Sequence, residues 1–240
     1  MTDADQKAAI RERMASTGEN YTTAKRAIEL ARLKAQGEQL GSTLAEQRTR
    51  TLNERFDTVA EQLGSDKSPA VRLAAVYAMA GLADDWQDHR QTCVDVLCAY
   101  LRMPYEPEPG DDAPVEKRLA LQASREVRRT VIRVIAAHLN GTAPVSWCGL
   151  NFDFAGAVFD GGDFSGAKLS GGTVSFSNAK FSGGTVNFTG AEFSGGTVDF
   201  SRVASWTQPP DFGSGFDTSD PPASVMLPTA TSPSPDSPVP

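Results

Sequence analysis

Few side chains in this sequence are suited to catalysis or metal binding. Catalytic acids, bases and nucleophiles need a positioned His, Cys, Lys or carboxylate with an orienting partner, and His89 and His138 are the only histidines. His89 and Cys93 lie one helical turn apart with Cys98 nearby, which could be part of a metal site. Structural zinc takes four ligands in two paired spacings, however, and cysteines on an apolar helix are usually core residues. We therefore predict no catalytic residue, no metal site, no cofactor and no enzyme activity.

The glycine-rich strings are also expected to be structural. Asp163-Phe164-Ser165-Gly166 is not the kinase Asp-Phe-Gly, Gly161-Gly162-Asp163 lacks the further residues of a calcium-binding β-roll, and Lys168 lacks the glycine spacing of a phosphate loop. Cys148, beside Trp147, has no basic sequence neighbour to activate it. We interpret these positions as turns and packing residues.

Charge and composition restrict the class of protein. The net charge is -7 and the sequence pI about 4.9, and residues 141–240 hold nine acidic and three basic side chains. Nucleic acid is therefore an unlikely partner, because phosphate binding needs clustered Lys and Arg. The first thirty residues carry charges throughout, so neither a signal peptide nor a membrane span is expected. Three cysteines fit a reducing compartment, and we expect a cytoplasmic protein.

A repeat dominates the later part of the chain. Residues 169–176, 181–188 and 193–200 share one pattern, an apolar residue, Ser-Gly-Gly-Thr-Val, a polar residue and Phe. Apolar side chains recur here at steps of five and seven residues, which is the period of neither a helix nor a flat strand. A coil with corners would point all of them at its axis, and a fixed period of this length marks a solenoid. The predicted coil core is Phe154, Phe159, Phe164, Leu169, Phe176, Phe181, Phe188, Phe193 and Phe200.

Several five-residue units resemble the pentapeptide-repeat family, whose pattern centres on Leu or Phe between small and polar residues. The units Gly162-Asp163-Phe164-Ser165-Gly166, Ala167-Lys168-Leu169-Ser170-Gly171, Ala179-Lys180-Phe181-Ser182-Gly183 and Ala191-Glu192-Phe193-Ser194-Gly195 carry the resemblance. It covers roughly residues 149–204 and implies a right-handed quadrilateral β-helix. At about twenty residues per turn, this stretch would complete fewer than three turns.

The preceding region is predicted to be helical. Ser68-Pro69 is a favourable helix start, a second helix is expected near residues 88–103, ended by Pro104, and a third over about 116–139. The shared Val-Arg pairs at Val71 and Val127 resemble HEAT-type helices.

The order of motifs resembles a bacterial subgroup of pentapeptide-repeat proteins with an N-terminal helical module. The motifs are Leu52-Asn-Glu-Arg-Phe56, Glu61-Gln-Leu-Gly-Ser-Asp-Lys67 and the apolar run from Val71, followed by the Phe-rich repeat. Members often begin with membrane helices, which are not expected here.

The predicted fold is therefore α+β in separate modules, an N-terminal α-helical region followed by a short β-helix and a disordered tail. Residues 1–41 would form a charged arm of two helices, Asp3 to Ser16 and Tyr21 to Leu40. Residues 42–140 would form the HEAT-like module, 141–206 the β-helix, and 207–240 a Pro/Ser-rich disordered tail.

The leading functional hypothesis is a non-enzymatic protein-interaction or scaffolding protein with an unidentified protein partner. One alternative, implied by the resemblance, is a DNA mimic that binds and protects topoisomerases. Another is weak DNA binding through the N-terminal arm, where Lys25, Arg26, Arg32 and Lys34 lie on the second helix. The coil's last strand would be an open edge, so either residues 201–206 with Trp206 cover it or the coil self-associates there.

Overall fold

The computed structural model describes residues 3–66, 68–106, 110 and 113–228. The chain divides into two compact units, Met1–Glu54 and Arg55–Pro240. Within the described residues, the first unit is helical and the second joins a layer of helices to a coil of short strands. None of the described helices combines the length and the apolar character needed to cross a membrane.

The first unit contains helix α1 (Asp3–Thr17) and the start of helix α2 (Tyr21–Leu63). The Asn20 side chain caps α2 by accepting a hydrogen bond from the Thr23 amide at 3.0 Å. Ile10 and Ala24 are buried in this unit. We expected the second helix to end at Leu40, but α2 continues to Leu63, because residues 42–63 contain strong helix formers and no proline.

Three further helices form the helical layer of the second unit, as the sequence predicts. They are α3 (Pro69–Asp85), α4 (Arg90–Arg102), which a short 3-10 helix (Gln87–His89) precedes, and α5 (Val115–Leu139). The Ser68 hydroxyl accepts a hydrogen bond from the Ala70 amide at 3.2 Å, which confirms the expected cap of α3. Helix α3 packs against both α4 and α5. The buried core includes Val76, Met79, Leu97, Val131 and Ile135.

The coil has four faces, each made of short parallel strands from successive turns, which confirms the four-sided prediction. Every described strand pair is parallel, so each turn hydrogen-bonds to the next. The first face comprises β1 (Phe152–Asp153), β5 (Thr173–Ser175), β9 (Thr197–Asp199) and β11 (Val225–Met226); the second β2 (Val158–Phe159), β6 (Lys180–Phe181) and β10 (Ser205–Trp206); the third β3 (Gly162–Asp163) and β7 (Val186–Asn187); the fourth β4 (Lys168–Ser170) and β8 (Glu192–Ser194).

Each twelve-residue repeat corresponds to half a turn. Strand pairing joins Phe152 to Val174, 22 residues later, and Val174 to Val198, 24 residues later. Turns are longer than the expected twenty residues because seven-residue sides alternate with five-residue sides. Residues 169–176 therefore pair with 193–200, whereas 181–188 lie on the other two faces.

Aromatic rings from successive turns stack in columns inside the coil. Ring centroids lie 5.2 Å apart for Phe159 and Phe181 and 5.1 Å apart for Phe164 and Phe188, with nearly parallel planes. Such offset stacking adds to the free energy gained by burying each ring. The third column joins Phe154, Phe176 and Phe200 with centroid distances of 5.2 and 4.3 Å.

The coil continues beyond residue 206, where the sequence predicted its end and the start of a disordered tail. Asp211 bridges to Asn187, the Phe212 ring stacks 5.6 Å from Phe188, and β11 pairs with β9. Residues 207–228 remain on the coil because Phe212, Phe216 and Val225 supply apolar side chains for another turn. The rest of the predicted tail, 229–240, lies outside the described residues.

The second glycine of each Gly-Gly pair is required by close backbone contact between turns. A Cβ atom at Gly172, Gly184 or Gly196 would overlap the carbonyl oxygen of Leu150, Asp160 or Gly172, respectively. The first glycine of each pair has a positive φ, as at Gly183 (82°). A side chain at the second position would therefore push two turns of the coil apart.

We predict that Gly184→Ala lowers the free energy of unfolding by about 1–3 kcal/mol, because the new methyl group collides with backbone that cannot rotate away. Urea unfolding followed by circular dichroism measures the change. Gly215→Ala is the matched control, since a Cβ there meets nothing within 4 Å and Gly215 has no positive φ. Equal stability of the two variants would contradict the packing argument.

Candidate protein-interaction surface

A buried carboxylate joins the helical layer to the first turn of the coil. Asp160 is 3% exposed, and its carboxylate accepts hydrogen bonds from Arg125 Nε at 2.5 Å and from the Tyr105 hydroxyl at 2.6 Å. The hydrogen bond to Asp160 raises the pKa of Arg125, and burial, together with the Asp160 hydrogen bond, raises the pKa of Tyr105. Both donors thus keep their protons at neutral pH and hold Asp160 in place.

Arg128 makes a second buried connection at the same junction. Its guanidinium donates to the carbonyl oxygens of Leu101 at 2.6 Å and Val158 at 2.9 Å, one in the last turn of α4 and one in the coil. The guanidinium carbon also lies 4.4 Å from the centre of the Tyr105 ring. Burial lowers the pKa of Arg128, but an arginine remains charged at physiological pH. A single side chain therefore ties α5 to both α4 and the coil.

A separate polar cluster fixes the chain where α5 leads into the coil. Asp84 of α3 accepts a hydrogen bond from Trp147 Nε1 at 2.9 Å and lies 3.2 Å from His138 Nε2. The rings of His138 and Trp147 stack with centroids 3.9 Å apart. Nearby, Gln91 of α4 exchanges two hydrogen bonds with the backbone of Asn151. The helical layer is thus held against the coil at several separate points.

An open groove runs between α5 and the third face of the coil. Its volume is about 580 Å³, and its lining includes Arg129 and Arg133 on the helix and Asp163 and Ser165 on the coil. Arg129 also lines a second depression of about 660 Å³ further along α5, which Arg118 borders. The two together form one surface with arginine side chains along its length, which we call the α5 groove.

The arginines of the α5 groove differ in how far they are engaged. Arg129 donates to the Asp160 carbonyl oxygen at 3.2 Å, so it also supports the junction. Arg133 lies 3.4 Å from Glu126, and its side chain is 61% exposed. Arg118 has no side-chain hydrogen bond or ion pair with the described part of the chain. Arg118 and Arg133 are therefore the exposed groove arginines whose side chains do not support the junction.

The structure places the predicted coil core inside the coil. All of these residues are buried except Phe193, which is half-buried. Phe193 lies on the fourth face and contacts the rings of Phe212 and Phe216 from the following turn.

The side chains that could have suggested a metal site are not gathered into one. His89 is exposed and packs against Trp86 with ring centroids 4.1 Å apart, whereas Cys93 and Cys98 lie in the helical core. Burial raises the pKa of Cys93 to about 11 and that of Cys98 to about 12. Within residues 3–66, 68–106, 110 and 113–228, no group of three or more His, Cys, Asp and Glu side chains is arranged to hold a metal ion.

Sequence reasoning missed Asp160 and Arg128, although the repeats contain a signal for Asp160. The residue before each Gly-Gly pair is serine at Ser170, Ser182 and Ser194, but aspartate at 160. A charged residue in place of a repeated serine indicates a specific partner at that position. No comparable signal marks Arg128, because its acceptors are backbone carbonyls.

We predict that Asp160→Asn lowers the free energy of unfolding by about 2 kcal/mol or more, because it leaves Arg125 without its buried counter-charge. This loss is at the lower end of what breaking a buried ion pair usually costs, because the Arg125 side chain is 33% exposed and water screens its charge. Thermal and urea unfolding measure the loss. Asp220→Asn, which removes an exposed carboxylate, should have little effect, and a similar loss in both variants would rule out the proposed role of Asp160.

We also predict that iodoacetamide at pH 8 modifies one cysteine in the folded protein and three after unfolding. The raised pKa of Cys93 and Cys98 keeps their thiols protonated at this pH, and burial shields them, whereas Cys148 is partly exposed. Intact mass spectrometry counts the labels. Cys148→Ser should abolish native labelling, and rapid labelling of Cys93 or Cys98 would show that the helical core opens readily.

Comparison with known proteins agrees with the geometry of the coil. A family model described as pentapeptide repeats matches residues 154–204, with 9 copies of the repeat. No curated protein and no solved structure gives a significant match. The family match lies within the coil, so membership in the bacterial subgroup remains a prediction. The coil of this chain is a pentapeptide-repeat β-solenoid, and a helical module precedes it.

Proposed function

We propose that this chain is a non-enzymatic protein-interaction module whose α5 groove binds an acidic segment of a partner protein. Repeat solenoids are rigid, quasi-one-dimensional platforms suited to binding, and pentapeptide-repeat proteins are generally non-enzymatic. The observation that carries the proposal is the row of arginines on α5 beside an open groove.

The charge of α5 contrasts with that of the whole chain. The chain has a net charge of -7, yet α5 contains six Lys and Arg residues and only two Glu residues. Arg125 and Arg128 point into the junction and serve the fold. The remaining basic side chains lie on the outer part of the helix, where an acidic ligand would find a local positive potential.

The shape of the groove favours an extended segment over a compact ligand. Two shallow depressions of several hundred cubic ångströms lie end to end and share Arg129. Arginine recognises carboxylates through two parallel hydrogen bonds. Asn140 at the end of α5 and Ser165 on the coil add hydrogen-bonding groups that carry no negative charge. An unfolded peptide with several Asp or Glu residues fits this combination.

The alternatives from the sequence have less support from the geometry. A topoisomerase-protecting DNA mimic needs phosphate-like charge over a long face, whereas turns spaced about 4.8 Å apart give a coil of only about three turns a short length. Several outward carboxylates are also engaged locally: Asp163, Asp199 and Asp211 each accept a hydrogen bond from an amide two residues ahead, and Asp153 pairs with Arg102. DNA binding by the N-terminal arm remains a prediction.

We predict that the full chain binds a fluorescein-labelled octaglutamate peptide at low salt, and that Arg118→Glu with Arg133→Glu weakens binding at least tenfold. The double variant spares Arg129, which supports the junction, and reverses the charges of two other exposed arginines of the groove. Fluorescence anisotropy gives the dissociation constants. Affinity should also fall as salt rises.

The control is Arg32→Glu with Arg202→Glu, which changes the net charge equally at exposed positions that do not line the α5 groove. It should bind the peptide with little change. An equal loss of peptide affinity in both variants would show that binding depends only on the net charge of the chain, and would overturn the proposed site. The chain could also bind duplex DNA as tightly as the peptide, with the same dependence on Arg118 and Arg133. That result would identify nucleic acid, and not an acidic protein segment, as the ligand.

A further inference from the structure

The middle of α2 is a helix whose side chains are all exposed. Every side chain from residue 29 to residue 50 is exposed, although helices in proteins derive most of their stability from packing one face against something else. This stretch also contains Gly37 and Gly41, which weaken a helix by about 1 kcal/mol each relative to alanine. Such a segment is marginal alone and is stabilised by a packing partner.

The exposed leucines of this segment lie along one stripe. Leu30, Leu33, Leu40 and Leu44 are 57–69% exposed, and their spacings of three, seven and four residues match the a and d positions of a heptad repeat. Gly37 occupies the a position between Leu33 and Leu40, and Gln47 occupies the last d position. The stripe thus repeats every 3.5 residues, which is the period of a coiled-coil seam.

The opposite side of the helix holds polar residues and alanine, with no large apolar side chain. The positions farthest from the leucine stripe include Arg32, Glu38, Ser42, Glu46 and Thr49. This segregation of leucine from charge indicates that one partner covers the stripe while water covers the other side.

We propose that residues 29–50 of α2 pair with the same residues of a second copy of this chain as a parallel, in-register coiled coil. In that arrangement all four leucines meet their own counterparts across the seam. Any antiparallel arrangement that preserves heptad packing leaves at least two of the four leucines without a leucine opposite them. A second copy in parallel register is the partner that matches the stripe along its whole length.

Charges beside the seam favour the same arrangement. Glu29 occupies a g position and Lys34 the following e position, and these positions face each other between the two helices of a parallel dimer. Each dimer would therefore contain two Glu29–Lys34 pairs related by symmetry. This surface is distinct from the α5 groove, and the proposal is independent of the proposed function.

Sedimentation equilibrium of the full chain tests the pairing. The wild-type protein should be in concentration-dependent equilibrium between monomer and dimer. Leu33→Gln with Leu40→Gln should raise the dissociation constant at least tenfold. Ala35→Gln with Ser42→Gln, which places the same side chain on the opposite face of the helix, should leave it within about twofold. A wild-type protein that is monomeric at 100 µM (roughly the weakest association relevant here), or equal weakening in both variants, would overturn the proposal.

Disulfide formation tests the direction of the two helices. In a Cys148→Ser background, Gln47→Cys at the seam should oxidise to a covalent dimer, because the two thiols meet only in the parallel arrangement. In the antiparallel pairing that places Leu33 opposite Leu44, residue 47 lies opposite residue 30, roughly 25 Å from the other residue 47 at 1.5 Å per residue. Thr49→Cys, on the outer face, is the control and should cross-link slowly. Cross-linking of Thr49→Cys as fast as Gln47→Cys would contradict the seam.

Discussion

The stacking of aromatic rings along the coil axis is the interaction on which the rest of this structure depends. Strands of two or three residues form too few hydrogen bonds to hold a sheet together alone, so their positions are set by the columns inside. Most phenylalanines of the coil contact a ring in the turn below or above, as Phe176 does with Phe154 and Phe200. A solenoid of this kind has two ends at which the column would meet water, and both ends are covered here by different means.

At the start of the coil, α4 and α5 provide the cover, and the contact is partly ionic. Gly162 leaves room for Ile132 of α5, while Asp160 and Arg128 satisfy polar groups that this packing removes from water. Charges buried in this way favour one orientation of the helices on the coil, because each charge is stabilised only when its partner lies beside it. The same contact determines where α5 lies beside the third face, and therefore where the α5 groove opens. At the other end, the additional turn that contains Phe212 and β11 lies over β7 and β9.

Much of the fold could be predicted from sequence because its periods are simple. Steps of five and seven residues identify the inward side chains without any knowledge of the helices, and Ser68-Pro69 marks the start of α3 through local chemistry alone. Other features depend on contacts far apart in sequence. The abundance of Pro, Ser and Asp after residue 206 predicted a disordered tail, although three apolar side chains there extend the coil. In the same way, nothing in the local sequence distinguishes Arg128 from the solvent-facing arginines next to it. The part of the α5 groove beside Arg133 is likewise a product of tertiary packing, since side chains of both α5 and the third face line it.

The half-turn repeat limits how such a coil changes length in evolution. Duplicating one twelve-residue unit would rotate everything after it by half a turn, so Phe212 and β11 would arrive above the wrong faces. Duplicating two units would add one complete turn and return the terminal segment to its present orientation relative to the helices. Homologues of different length are therefore compatible with the same two ends only when they differ by even numbers of units.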